Sequence, residues 1–151
     1  YDTLHPDLQR VISWCLDHCA VDFSLVEGHR LPSTQFEYYQ RGRTKNNDGT
    51  WTITNKKKVI TYIDGINKKG KHNYEPSLAV DLCAYVPDKR NLSWDVTHLA
   101  YIAATFIAVG EFMYKEGMIT HKLRWGGNWD KDGDLDDNKF CDLPHLELYE
   151  P

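Results

Sequence analysis

Leu4, Leu8, Val11, Ile12, Cys15 and Cys19 recur at intervals of one helical turn, and Pro6 stands where a first turn tolerates proline. This pattern predicts an amphipathic helix over residues 5–19. A strand follows at 22–27, and "QFEYYQR" at 35–41 reads as a further helix. Residues 42–71 are rich in Gly, Asn and Lys with short alternating runs, which predicts a long polar loop or a small hairpin. The period then drops to two: Leu78, Val80, Leu82 and Ala84 fall on one face of a strand, and Ala79, Asp81 and Cys83 on the other. Asp81 therefore faces something other than the core. From 94 to 117 apolar residues occupy most of a helical circumference and end at Gly117, the pattern of a central buried helix with a glycine cap. "PHLELYE" alternates again and predicts a last strand. No repeat, linker or second domain interrupts the series. The expected fold is α+β, one domain over 1–151, with a small, mainly antiparallel sheet packed against helices.

Composition narrows the function classes. A chain of 151 residues with 41% apolar and 26% charged residues can bury a core of its own. Net charge of -4 and a pI near 5.9 give no electrostatic reason to expect nucleic acid, and "NKKK" at 55–58 reads as a solvated loop. No apolar stretch is expected to reach the roughly 18 to 20 residues of a membrane span. No charged start followed by an apolar run marks a signal peptide, and the start at Tyr1 leaves a trimmed end open. Cys15 and Cys19, one turn apart on a helix, suit small buried thiols better than a disulfide. Cys83 and Cys141 fall near the polar candidates, but neither belongs to a CxxC pair, so metal ligation by cysteine is the minor reading.

Three residues suggest one chemistry: His72, Asp81 on its strand, and His145 opening the last strand. Two imidazoles and a carboxylate suit Zn²⁺, and a catalytic zinc keeps three protein ligands and one open position. Asp142, three residues before His145, is placed to act as a base, and Pro144 excludes a helical HExxH arrangement. Glu147 shares the face of His145 by alternation and reads as support for a ligand. Each has a bland alternative. Either histidine can be a satisfied core or surface residue, Asp81 an acid on an exposed sheet face, and Asp142 a loop cap. Arg30 can pair with a surface acid for little gain, or its fixed guanidinium can serve an oxyanion. Composition and spacing leave these readings open.

The motifs "EGHRLPSTQ", "KHNYEPSLAVDL", "LRWGGNWD" and "DLPHLEL", in that order, resemble the zinc peptidase family of D-alanyl-D-alanine carboxypeptidases and dipeptidases and phage L-alanyl-D-glutamate endolysins. The similarity runs from "LHPDLQRVI" to "HLELYE". The resemblance implies zinc held by His72, Asp81 and His145, Asp142 as the acidic catalytic residue, Arg30 stabilising the oxyanion, and Gln35 in the substrate site. It implies a monomeric phage endolysin, held in the host cytoplasm until release, that cuts the stem peptide of bacterial peptidoglycan. Gly70 stands where the family often has serine, and the interval from His72 to Asp81 is long, which puts the loop geometry in doubt more than the ligands. Aspartate at 142, where the dipeptidases carry glutamate, favours the endolysin branch over a D-alanyl-D-alanine carboxypeptidase. A non-catalytic zinc module is the alternative of another class, and it has no need of Asp142.

One acidic run remains. Asp130, Asp132 and Asp134, with Asp136 and Asp137 close behind, resemble the start of a Ca²⁺-binding EF-hand loop. Gly133 falls earlier than such a loop requires, and Cys141 stands where its closing glutamate belongs. Calcium and a solvated acidic turn both stay open.

Overall fold

The computed structural model describes residues 1–87, 91–134 and 140–151. Helix α1 (Pro6–His18) begins with its proline in the first turn, and the His5 imidazole accepts the Asp7 N–H. Strand β1 (Phe23–Glu27) leads to α2 (Pro32–Gln40), which starts earlier than the apolar pattern suggests because Pro32 opens its first turn. The polar segment forms a small hairpin of β2 (Arg43–Lys45) and β3 (Trp51–Ile53), then single helical turns at Lys56–Lys58 and Lys71–Asn73. Strand β4 (Ala79–Val86), β5 (Asn91–Ser93), helix α3 (Val96–Lys115), β6 (Lys122–Trp125) and β7 (His145–Tyr149) complete the order.

The main sheet is antiparallel in every pairing, ordered β1-β4-β7-β6, with β5 pairing the far end of β4. The expected α+β class is the one observed. Alternation divides the sheet's faces. Val80, Leu82, Leu123, Leu146 and Leu148 pack with Leu8, Val11 and Ile12 of α1 and Ile102, Phe106 and Met113 of α3, and removing this apolar surface from water is the main stabilising term. Asp81, His145 and Glu147 take the opposite face.

Three expectations change. Ala79 and Cys83, placed off the core face, are fully buried as well, so both sides of β4 are covered. Helix α3 is not surrounded: Val96, Tyr101 and Phe112 are at least half exposed, since only its Leu99–Ile102–Phe106–Met113 side meets the sheet. By length and composition α3 also meets the criterion for a membrane span that the sequence was not expected to contain, while its buried side packs into the core. The glycine stop holds. Gly117 adopts φ 68°, the Met118 N–H donates to the Met113 carbonyl and the Gly117 N–H to that of Tyr114, the paired bonds of a Schellman cap.

Candidate metal centre and cleft

Strand register places the central residues. Asp81 lies directly opposite His145 across β4 and β7, and opposite Glu27 across β4 and β1. Glu147 lies opposite Arg124 across β6 and β7. Neighbours directly across a sheet have their Cβ atoms close enough for side chains to meet. His72 arrives from the Lys71–Asn73 turn, fixed where the Arg30 N–H donates to its carbonyl at 2.9 Å.

The hydrogen-bond partners behind each ring define what it presents in front. His72 Nδ1 is 2.7 Å from the Gly28 carbonyl oxygen; a carbonyl only accepts, so in the neutral ring the hydrogen sits on Nδ1 and Nε2 carries a lone pair. His145 Nε2 is 3.1 Å from Glu147 Oε2, which leaves His145 Nδ1 bare by the same reasoning. These two nitrogens stand 3.1 Å apart, and Asp81 Oδ1 is 3.2 Å from the first and 3.0 Å from the second. Three electron-rich atoms converge with no hydrogen to share among them. Such a group needs a cation. Where a proton takes that place, burial pushes the His145 pKa down, but hydrogen bonds to Asp81 and Glu147 outweigh it and raise it to about 9. Burial likewise works against the Asp81 carboxylate, and the two imidazoles overcome it and hold its pKa well below the usual range.

Asp142 lines the same cleft of about 370 Å³. Its segment is held by backbone and indole donors: the Asp142 N–H donates to the Gly126 carbonyl at 2.8 Å, Trp125 Nε1 to that of Leu143 at 2.7 Å, and Trp129 Nε1 to that of Phe140 at 2.8 Å. A Cβ at Gly126 would fall 2.3 Å from the Asp142 carbonyl oxygen, so only glycine permits this approach. Burial, with Asp81 nearby adding to it, raises the Asp142 pKa.

Arg30 is paired, as its bland reading supposed, but not at the open surface. It forks onto Glu27, with Nε 2.8 Å from Oε1 and Nη2 on Oε2, donates through Nη1 to Gln35 Oε1 at 2.8 Å, and reaches Asp81 Oδ2 at 3.5 Å. Gln35 is buried and in turn donates to the Ile63 carbonyl and to Thr61. Glu147 is gripped on its other oxygen by Arg124.

The structure thus brings His72, Asp81, His145, Asp142, Arg30, Gln35 and Glu147 to one cleft. Cys83 and Cys141 join no metal-sized group among the described residues. Nor do Asp130, Asp132 and Asp134, which lie exposed, with Asp132 Oδ1 accepting the Asp134 N–H at 2.8 Å; Asp136 and Asp137 fall outside the described residues. Sequence reading missed Glu27, Arg124 and Trp129, whose ring lies 5.5 Å from that of His145. Glu27 carried a signal, standing three residues before Arg30, whereas Arg124 required the strand pairing.

A second group of the same residue types was also missed. His5, Asp7 and His121 bring potential ligand atoms within metal-sized reach. Here Asp7 Oδ2 accepts the Thr120 N–H at 3.0 Å, the His121 N–H at 3.1 Å, the Thr120 hydroxyl at 3.0 Å and His121 Nδ1 at 2.8 Å.

A family model described as phage L-alanyl-D-glutamate peptidase matches residues 1–149. The chain belongs to that family. It is a peptidase of the phage endolysin type, a hydrolase acting on peptidoglycan. Among solved structures, the crystal structure of the Serratia marcescens L-Ala D-Glu endopeptidase ChiX shares its fold, with a TM-score of 0.62 and 23% identity, covering 98% of this chain and 82% of that one. Metallopeptidase membership accords with the groups of potential metal ligands in this peptidase.

Proposed function

We propose that this peptidase is zinc-dependent, that His72, Asp81 and His145 hold the ion, and that residues 1–151 act as one catalytic domain cleaving the L-alanyl-D-glutamate bond. The observation that carries the reading is the convergence of three lone pairs at 3.0–3.2 Å, each ring fixed from behind by a carbonyl or a carboxylate. The spacing supports zinc, since ligands on a tetrahedral shell of about 2.0–2.1 Å stand roughly 3.3 Å apart. Bound there, zinc supplies a Lewis acid for the scissile carbonyl and lowers the pKa of water to about 7.

The chain's own groups divide the remaining work. Asp142 takes the proton of the attacking water and returns it to the leaving amine. Arg30 holds Asp81 in place through its bridge from Glu27, and the second Nη1 hydrogen, unclaimed among the described residues, serves the oxyanion. Gln35 fixes the guanidinium and anchors the Thr61–Ile63 wall of the cleft. Glu147, held by Arg124, keeps His145 in its ligating tautomer. The protein remains in the host cytoplasm as a monomer until release.

Digestion of purified sacculi, followed by mass analysis of the released peptides, tests the activity. New N-terminal glutamate that disappears with a zinc chelator is the expected result; release of terminal D-alanine overturns the choice of bond. Calcium lies outside this centre. A calorimetric titration of the zinc-loaded enzyme decides the 130–137 run, with binding heat favouring an ion and none favouring the solvated turn.

A further inference from the structure

Charge is unevenly distributed along this chain. Residues 41–71 hold nine of its 18 Lys and Arg but only two of its 22 acids, Asp48 and Asp64. That segment carries a net +7 on a chain whose total is -4. Part of it also lines the cleft. Ile60–Ile63 line the cavity, and in sequence lysines stand on both sides of them, Lys56–Lys58 before and, after the Asp64–Asn67 turn, Lys68, Lys69 and Lys71. Lys56, Lys57, Lys58, Lys68 and Lys69 are exposed, and Lys71 lines the cleft itself.

The segment is fastened to the rest of the fold. Arg43 donates to the carbonyls of Tyr39 and of Thr61, the latter at 3.0 Å, and Gln35 ties Thr61 and Ile63 to α2. Trp129 also lines the cleft, and the chain beyond it carries exposed Asp130, Asp132 and Asp134 with Lys131 among them. At physiological salt, screening acts over about 8 Å. A polymer entering the cleft therefore responds to the adjacent wall, not to the net charge of the whole protein.

We propose that residues 41–71 form a polyanion-binding wall that captures the carboxylates of peptidoglycan stem peptides. This rests on the peptidoglycan peptidase reading and deepens it. The D-glutamate of the scissile bond carries an ionised carboxylate, and an intact sacculus repeats that charge from stem to stem. A basic wall beside the reacting centre concentrates such a polymer at the cleft and sets the side on which it lies.

The test uses the full chain and two charge-reversed variants, Lys56→Glu with Lys57→Glu and Lys58→Glu, and separately Lys68→Glu with Lys69→Glu. None of these side chains belongs to the proposed catalytic machinery. Co-sedimentation with purified sacculi at low salt should weaken on the order of 10-fold in each variant, the size of a local electrostatic effect, and the difference should close in high salt. Turnover of a short soluble peptide containing the L-Ala–D-Glu bond should stay within about 2-fold, since the removed charges act on the polymer. Sacculi whose carboxylates are converted to neutral amides should bind the wild type as weakly as intact sacculi bind the variants. Unchanged binding by both variants overturns the proposal, as does binding lost when phosphate polymers are stripped and carboxylates left intact. Wild-type turnover of the soluble peptide separates the two levels: its absence overturns the peptidase reading and this proposal together, whereas its presence with charge-indifferent binding overturns the wall alone.

Discussion

The chain holds two His–Asp–His groups, and they differ in what surrounds the same three residue types. At His72, Asp81 and His145 the outer nitrogens are occupied by a carbonyl and a carboxylate, so the inner lone pairs face one another. At His5, Asp7 and His121 one carboxylate oxygen already receives four donors, Arg10 donates to the other at 3.2 Å, and His5 Nδ1 accepts a backbone N–H. The first group is short of positive charge; the second is satisfied. Proximity of ligand-type residues is therefore not enough to specify a metal site. The direction of the hydrogen bonds decides.

The largest expected difference is in metal content. His145→Ala should lose both zinc and peptide release, while His121→Ala should keep a full equivalent of zinc by elemental analysis. Equal zinc in the two variants would erase the distinction. Next in size, Asp142→Ala should stay zinc-loaded yet lose turnover on the order of 100-fold to 10,000-fold, the usual range for a general base. Near-normal peptide release from that loaded variant would remove Asp142 from the chemistry. Glu147→Gln tests the ring orientation and should weaken zinc affinity about 10-fold to 100-fold in a chelator competition; unchanged affinity would show that the His145 tautomer is set elsewhere.

The satisfied group should respond in stability instead. Asp7→Ala removes the acceptor for α1 and the chain entering β6, and should cost about 3 kcal/mol in denaturant unfolding, with zinc content unaltered. Its pH dependence has a definite sign. Burial works to raise the Asp7 pKa, but hydrogen bonds from His121 and Thr120 outweigh it and hold it below the ordinary value. The stabilisation is complete above the unfolded pKa of about 3.9 and is lost as pH falls through the lower folded value. Acid melts should therefore fall more steeply below about pH 4 in the wild type than in Asp7→Ala; parallel curves would mean that Asp7 carries no linkage.

Much of the first group was legible because strand alternation is a strong local signal. It put Asp81 off the core face, and it set Glu147 beside His145. The register was not legible: that Asp81 sits opposite both Glu27 and His145 depends on which strands pair, and pairing is decided by packing across the chain. Arg30 illustrates the consequence, since the residue chosen for an oxyanion spends most of its donors on Glu27, Gln35 and Asp81. The second group stayed hidden because His121 lies more than a hundred positions from His5 and Asp7. Helix α3 was misjudged for a related reason. Apolar residues around a helix do not reveal how many of its sides meet a partner, and Tyr101 and Phe112 remain exposed. The lysines of 55–58 read as solvent-facing, which they are, but a local run gave no hint that the chain just after them, Ile60–Ile63, lines a cleft.

Anomalous diffraction at the zinc edge, from crystals of the zinc-loaded protein, compares the two groups in one experiment. A single strong peak among His72 Nε2, Asp81 Oδ1 and His145 Nδ1, with none between Asp7 and His121, is the predicted result. A peak at the Asp7 group, or none at the Asp81 group in protein that releases peptide, contradicts it.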